Sequence, residues 1–126
     1  MAFNWKEYLD LAQYLHGIIG ANYSEESAKR PAISRAYYAA FCFARNYAHD
    51  HLGYTLTKNQ SEHTELRRHY RVLGTVKSDF EDIADNLDEL RQWRNFCDYD
   101  DDIMQNLNDL ATDALDDAQE IINILT

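Results

Sequence analysis

A cation interrupts the apolar stripe of a predicted helix near the end of the chain. Positions three and four residues apart share one face of a helix, and here they are Phe80, Ile83, Leu87, Leu90, Arg94 and Cys97. A buried guanidinium must be paired, because leaving it alone costs on the order of several kcal/mol. Asp98, one turn beyond Arg94, is the nearest local partner. Two interpretations stay open: an internal ion pair that closes the end of a bundle, or an arginine that points into a polar cleft, where its planar head suits phosphate.

The flanks of the same helix carry further side chains suited to binding. Arg91 lies near the edge that Arg94 occupies. Trp93 and Phe96 form a second apolar edge that one core cannot easily accommodate, so they predict a protein interface, most simply that of a homodimer. Burial of both rings beneath the chain that leads into the next helix is the alternative.

A second helix brings polar side chains to the border of its own apolar stripe. Arg35 faces away from that stripe, and Ser34, Tyr38 and Arg45 lie along its edge. Together they predict a basic groove, with Arg35 and Tyr38 as its ligand-binding residues. A solvated face or a second interface is the alternative.

Patterns for metal binding and nucleophilic catalysis are weak. His49 and His51 are two residues apart, which points them in different directions on a helix, and neither an HExxH motif nor a Glu-x-x-His pair occurs. A calcium loop at residues 98–109 lacks its turn glycine and its final glutamate. Cys42 and Cys97 are interpreted as small buried hydrophobes in a reducing compartment. We therefore expect no metal ion and no cofactor.

Five helices must position these residues. Apolar spacing and breakers predict helices over residues 5–19, 31–51, 60–73, 78–97 and 101–125. One proline and four glycines give too little turn punctuation for a β-sandwich or barrel of this length. The predicted fold class is all-α, a five-helix up-and-down bundle, and 126 residues fit a single domain, 1–126. The second helix is apolar over more than half of its circumference and is expected at the centre.

Particular residues are expected at the helix ends. Asn4 and Ser78 are predicted N-caps, and Gly20 is predicted to end the first helix. Pro31 suits the first turn of the second helix, where its missing N–H costs nothing. The acidic run 100–102 is expected at the N-terminus of the fifth helix, where the helix dipole favours negative charge.

Charge is divided unevenly along the chain, whose formal net charge is −10. Residues 1–77 contain ten Lys/Arg and seven Asp/Glu, a net of +3, whereas residues 78–126 contain two and fifteen, a net of −13. The acidic half repels nucleic acid, so RNA contact is expected from the first three helices or through a basic partner that the acidic half recruits. A solvated acidic face is the plainer alternative.

Targeting signals are not evident in the sequence. No apolar run approaches the ~20 residues of a membrane helix, and the first six residues lack a basic region followed by an apolar one. These features predict a cytoplasmic protein without membrane contact.

Two segments of the chain resemble the HEPN domain, a small helical family named for higher eukaryotes and prokaryotes nucleotide-binding. The second helix contains SRAYYAAF at residues 34–41, and the fourth ends in LRQWRNFCDYD at residues 90–100. His63, at the start of the third helix, also fits one bacterial and archaeal branch of the family. The order of the helices extends the resemblance over nearly the whole chain.

The resemblance implies a helical bundle that dimerises through the helices carrying the arginine motif. Many members are metal-independent ribonucleases of toxin–antitoxin systems, and others are non-catalytic partners of a small nucleotidyltransferase. In the ribonucleases, an arginine is followed by a polar residue and, a few positions later, by a histidine. Arg94 and Asn95 match the first two positions, and Asp98, ahead of Tyr99, stands where the histidine belongs.

The missing histidine weakens the ribonuclease interpretation. Cleavage by a 2′-hydroxyl needs a proton acceptor and a donor that work near neutral pH, and a carboxylate paired with Arg94 is a poor acid. No histidine follows His69, and the sequence does not show whether His63 or His69 reaches Arg94.

The favoured hypothesis is a dimeric interaction module that acts with a nucleotidyltransferase-type or antitoxin-type partner and binds nucleotide or RNA. The alternative is a ribonuclease toxin in which Arg94 is catalytic, supported by Asn95, Asp98 and Tyr99. An unrelated helical binding protein is a third interpretation.

Overall fold

A computed structural model describes residues 3–18, 25–103 and 105–126, and the all-α prediction is confirmed. Within these ranges there are five helices and no strand. The helices are α1 (Lys6–His16), α2 (Glu25–His51), α3 (Glu62–Leu73), α4 (Ser78–Tyr99) and α5 (Leu107–Leu125). None of them is long and apolar enough to cross a bilayer.

Helix α2 lies at the centre, as its composition predicts. It packs against α1, α4 and α5, and α5 also contacts α1 and α4. The α2 positions that allow this close approach are small and fully buried: Ala32, Ala36, Ala39, Ala40, Ala44 and Ala48. Alanine costs no side-chain entropy on burial and favours helix, so α2 is both stable and narrow enough for three neighbours.

Helix α3 packs on α4 and is tied to α2 by side chains. The buried Tyr70 hydroxyl donates a 2.7 Å hydrogen bond to the carbonyl of Ala44. A buried phenol needs such a partner, since an unsatisfied hydroxyl costs about 1–3 kcal/mol. This bond fixes the height of α3 along α2 and therefore the position of His63, two turns earlier on α3.

The start of α2 differs from the prediction. The helix begins at Glu25, so Pro31 is its seventh residue and lies inside it. Proline normally breaks a helix interior because it lacks the N–H that bonds the preceding turn. Here Ala28 and Ala32, on either side of Pro31, are buried, and tertiary packing outweighs the local cost. Residues 25–30 are therefore helical rather than part of a polar connection.

Other helix ends also differ from the predictions. Asn106 caps α5 by accepting from the Asp109 N–H at 3.1 Å, so the acidic run 100–102 precedes the helix by several residues, and its predicted dipole role is wrong. Ser78 is the first residue of α4 rather than its N-cap, and α4 extends to Tyr99. The Asn4 side chain accepts a hydrogen bond from the Lys6 N–H at 3.1 Å, as expected of an N-cap, although Trp5 directly precedes α1 and has helical dihedrals. Gly17 follows the last residue of α1. Gly20 lies outside the described residues.

Arg30 caps the C-terminus of α4 from across the bundle. Its guanidinium donates to the carbonyls of Cys97 at 3.1 Å, Asp100 at 2.6 Å and Asp101 at 3.0 Å. The last carbonyls of a helix have no partner inside it, and a cation there also complements the helix dipole. Arg30 therefore holds both the end of α4 and the segment that follows it.

Replacing Arg30 by Ala is expected to lower the free energy of unfolding by about 1–3 kcal/mol, because three carbonyls lose a charged donor. Urea denaturation followed by circular dichroism measures the change. Arg71→Ala is the matched control: Arg71 forms an exposed ion pair with Asp85, and its loss is expected to cost less than about 1 kcal/mol. Equal effects of the two substitutions would contradict the capping role.

Candidate functional site

Arg94 lies between α4 and α2 with its donors directed at protein groups. Its Nη2 donates to the Tyr38 hydroxyl at 2.6 Å, and its Nη1 donates to Asn95 Oδ1 at 3.0 Å. Its Nε lies 3.0 Å from Asp98 Oδ2, an ion pair without the alignment of a full hydrogen bond. The arginine side chain is 16% exposed and that of Asp98 is 30% exposed. The ion pair of the first interpretation is thus present, at the rim of the bundle rather than deep inside it.

Aromatic rings surround the guanidinium. Its central carbon lies 5.2 Å from the Tyr38 ring centroid and 5.9 Å from those of Tyr37 and Tyr99. A cation over such rings gains about 0.5–2 kcal/mol per favourable contact, with the larger value at desolvated sites. On the other side, the Ser34 hydroxyl donates a long 3.4 Å bond to Asp98 Oδ2. Helix α2 therefore contacts both members of the Arg94–Asp98 pair.

His63 reaches this cluster through two tyrosines. Its ring stacks on Phe41 with centroids 4.2 Å apart, and its Nδ1 shares a short hydrogen bond with the Tyr37 hydroxyl. The Tyr38 ring, which contacts Arg94, lies edge-on to His63 at 6.5 Å. His69 has different neighbours: its Nε2 bonds the Leu52 carbonyl. The fold thus brings His63, and not His69, to the arginine cluster.

Burial and neighbouring cations set the charge of His63. Burial, followed by the positive charges of Arg91, Arg94 and Arg67, lowers the pKa of His63 to about 4. Burial also raises the pKa of Tyr37 well above its usual range, despite the same arginines. At neutral pH the pair is therefore an uncharged imidazole beside an intact phenol. An imidazole with so low a pKa is a weak base. Near pH 7 it is almost entirely deprotonated, so it has no proton to donate as a general acid.

The remaining predicted residues are placed less centrally. Arg91 is half-buried and lies one helical turn before Arg94. Arg35 is not among the residues that contact Arg94, and its Nε is buried without a hydrogen-bond partner in the described part of the chain. Trp93 and Phe96 are both half-buried, and Trp93 packs on the core. The second apolar edge of α4 is therefore partly covered within one chain.

Two site residues are missed by sequence reasoning. Arg30 precedes the helix predicted over residues 31–51 and is therefore not among the predicted site residues. In the continuous helix, Arg30, Ser34 and Tyr38 recur every four residues and form one stripe that faces α4. Tyr37 is buried in the core, and its hydroxyl also holds His63. The four-residue recurrence is the signal in the sequence from which the stripe could have been identified.

Metal-binding groups do not converge in the part of the chain that the structure describes. No three His, Cys, Asp or Glu side chains there are placed to hold an ion. Cys42 and Cys97 are buried free thiols whose pKa burial raises to about 11, so neither is an activated nucleophile.

The chain is similar to a known protein family and to an archaeal protein. A family model described as HEPN domain matches residues 20–126. An uncharacterized protein of Methanocaldococcus jannaschii is 30% identical over 114 residues, a match that covers 80% of this chain and 63% of that protein. The chain thus spans less than two thirds of this relative. No solved structure matches the chain.

The low pKa of His63 predicts a pH-dependent contribution to stability. The unfolded chain binds a proton there near pH 6.5 and the folded chain only near pH 4, so unfolding takes up a proton between these values. The contribution is full above about pH 6.5 and is lost as the pH falls toward about 4. Urea unfolding of the wild type and His63→Gln should show the wild type losing more stability over that range. His51→Gln, at an exposed position, is the control, and parallel wild-type and His63→Gln curves would contradict the assignment.

Proposed function

This chain belongs to the HEPN domain family, and on that premise we propose that it is a dimeric, non-catalytic interaction module. Membership makes it a nucleotide- or RNA-related module. In the proposal, it acts with a nucleotidyltransferase-type or antitoxin-type protein partner, and the Arg94 cluster contacts the phosphate of a nucleotide or RNA.

The observation that carries the proposal is the contact of Arg94 with groups of its own protein. Tyr38, Asn95 and Asp98 engage all three nitrogens of the guanidinium. A catalytic arginine stabilises charge that develops in the transition state, and it does so best when its donors are aimed at that position in advance. Donors already directed at a carboxylate, an amide and a phenol favour holding a structure or an anion over cleaving a bond.

The proton chemistry supports the same proposal. Asp98 stands where the family's ribonucleases have a histidine, and its carboxylate is tied to Arg94 and Ser34. Arginine does not transfer protons near neutral pH. The groups that directly contact Arg94 therefore include no acid–base residue suited to attack by a 2′-hydroxyl.

A protein partner is supported by the distribution of charge. Residues 78–126 carry a net of −13, and many of their carboxylates are exposed on α4 and α5. Such a surface accelerates association with a basic protein and disfavours nucleic acid on the same side. The most uniformly acidic part of this surface is α5, where Asp109, Asp113, Asp116 and Glu120 are exposed, so the proposed partner is basic where it meets α5.

A ribonuclease remains the second candidate because of one observation, the arrival of His63 near Arg94. The imidazole lies against Tyr38, which bonds Arg94. A substrate phosphate bound beside the ring would raise the pKa of His63 toward neutrality by adding negative charge. His63 would then supply the acid–base group that Asp98 does not.

Expression of the chain alone in a bacterial host is expected to leave cellular RNA intact, because the side chains that contact Arg94 include no histidine to act as the acid–base group. Electrophoresis of total RNA measures this, beside Arg94→Ala and His63→Ala. Degradation by the wild type that both substitutions abolish would overturn the non-catalytic proposal and establish the second candidate. Intact RNA in all three strains, together with co-purification of a protein partner, supports the first.

Light scattering tests the proposed dimer. The double substitution Trp93→Ser with Phe96→Ser is expected to convert a dimer into monomers, because it removes the second apolar edge of α4. Trp93 also packs on the core, so circular dichroism must show that the variant is folded. Gln92→Glu adds a like charge beside Phe96 at an exposed position and should weaken the dimer about tenfold without touching the core. Unchanged mass for both variants would place these rings in the fold and not in an interface.

A further inference from the structure

A row of positive charge follows the contact between α3 and α4 in this acidic chain. Five arginines lie along it, and we name them the arginine seam: Arg67, Arg68, Arg71, Arg91 and Arg94. Arg67, Arg68 and Arg71 line one surface groove together with Thr64 and Asp88. The ion pairs Arg71–Asp85 and Arg67–Asp88 show that α3 and α4 run in opposite directions, so the seam continues past Asp88 to Arg91 and Arg94.

Arg91 connects the groove to the site. It lies one turn after Asp88, which Arg67 contacts at 2.7 Å, and one turn before Arg94. After burial, the positive charges of Arg91, Arg94 and Arg67 lower the pKa of His63, which agrees with their position at this contact. Arg91 is therefore the cation that lies between the groove on α3 and the Arg94 cluster.

Part of this charge is free to meet a ligand. Arg68 and Arg91 form no ion pair with any residue in the described ranges. Arg71 and its partner Asp85 are 48% and 60% exposed, and exposed pairs of this kind contribute about 0–1 kcal/mol. Arg67 is 20% exposed beside an Asp88 that is 47% exposed. A phosphate can therefore replace these carboxylates at low cost.

We propose that the arginine seam is the path of a single RNA strand, whose phosphates lie along α3 and α4 and lead to Arg94. This inference rests on the proposed function, because it names RNA as the ligand of that site. From Asp85 to Arg94 the helix rises about 14 Å. A length of this order accommodates a short run of phosphates.

The chemistry of the seam fits RNA better than a free nucleotide. Guanidinium groups bind phosphate bidentately, and a row of them matches a row of phosphodiesters. The half-buried Tyr38 and the exposed Tyr99 lie at the Arg94 end, where aromatic rings can stack on unpaired bases. The acidic α5 is unsuited to the strand, since it would repel the same phosphates.

Fluorescence anisotropy of a labelled oligouridine of about 12 nucleotides tests the path, at several salt concentrations between about 50 and 200 mM. The double variant Arg68→Ala with Arg91→Ala is expected to bind about tenfold more weakly at the lowest salt. Its plot of log affinity against log salt should be shallower by about 1.4, the value for two lost phosphate contacts on a single strand. Lysine at both positions should restore most of the binding.

The matched control removes the same charge elsewhere. Lys6→Ala with Lys77→Ala also lowers the net charge by two, at exposed positions on α1 and before α4, and should bind like the wild type. Equal losses in the two double variants would overturn the path, because net charge would then explain the result. Absence of wild-type binding at the lowest salt would overturn it too, leaving the dimer and the protein partner to be judged by light scattering and co-purification. Binding lost in Arg94→Ala but kept in the seam variant would reject the path and retain the proposed site.

Discussion

The structure depends on how one guanidinium is kept paired at the rim of an apolar interface. Arg94 occupies a position that the spacing of α4 assigns to the core, and a cation there is tolerated only if other groups replace its water. One partner is local, since Asp98 lies one turn away, but the shortest bond comes from Tyr38 on α2. Helices α2 and α4 must therefore keep one register along their axes, and the alanines of α2 allow the close approach that this requires.

Pairing of this kind influences what the site can do. An arginine paired in this way is held in one orientation, but it gives up a partner when it binds an anion. The exposed side of the cluster, where Asp98 and Tyr99 lie, is where that exchange is cheapest. His63 adds an uncharged, hydrogen-bonded ring whose charge state depends on whether an anion is nearby. The cluster thus combines features of a structural ion pair with those of a phosphate site, which is why a binding role agrees best with its geometry.

Sequence periodicity was sufficient for the helices and for the Arg94–Asp98 pair, because both depend on residues that are near each other in the chain. It was insufficient for contacts set by the register between helices. Nothing in the spacing of α4 identifies Tyr38 as a partner, and Tyr37 gives no sign in the sequence that its hydroxyl meets His63. The predicted start of α2 at Pro31 is wrong for another reason. Proline prefers the first turn of a helix, but burial of the residues around Pro31 outweighs that local preference. Helix α5 begins after Asn106 rather than at residue 101, because the side-chain cap that Asn106 provides outweighs the favourable charge of the acidic run 100–102.

The guanidinium of Arg30 has a mechanical consequence. It is attached to the carbonyls that end α4, while eight residues along the same stripe Tyr38 is attached to Arg94. These two sets of hydrogen bonds lie about 12 Å apart along α2. They prevent α2 and α4 from sliding past each other, because a displacement of one turn would break both sets at once. The segment after α4 is thereby linked through α2 to the Arg94 cluster. A protein that pulled residues 100 and 101 away from Arg30 would strain α2 as far as Tyr38. The hydrogen bond between Tyr38 and Arg94 would then respond to binding outside the site.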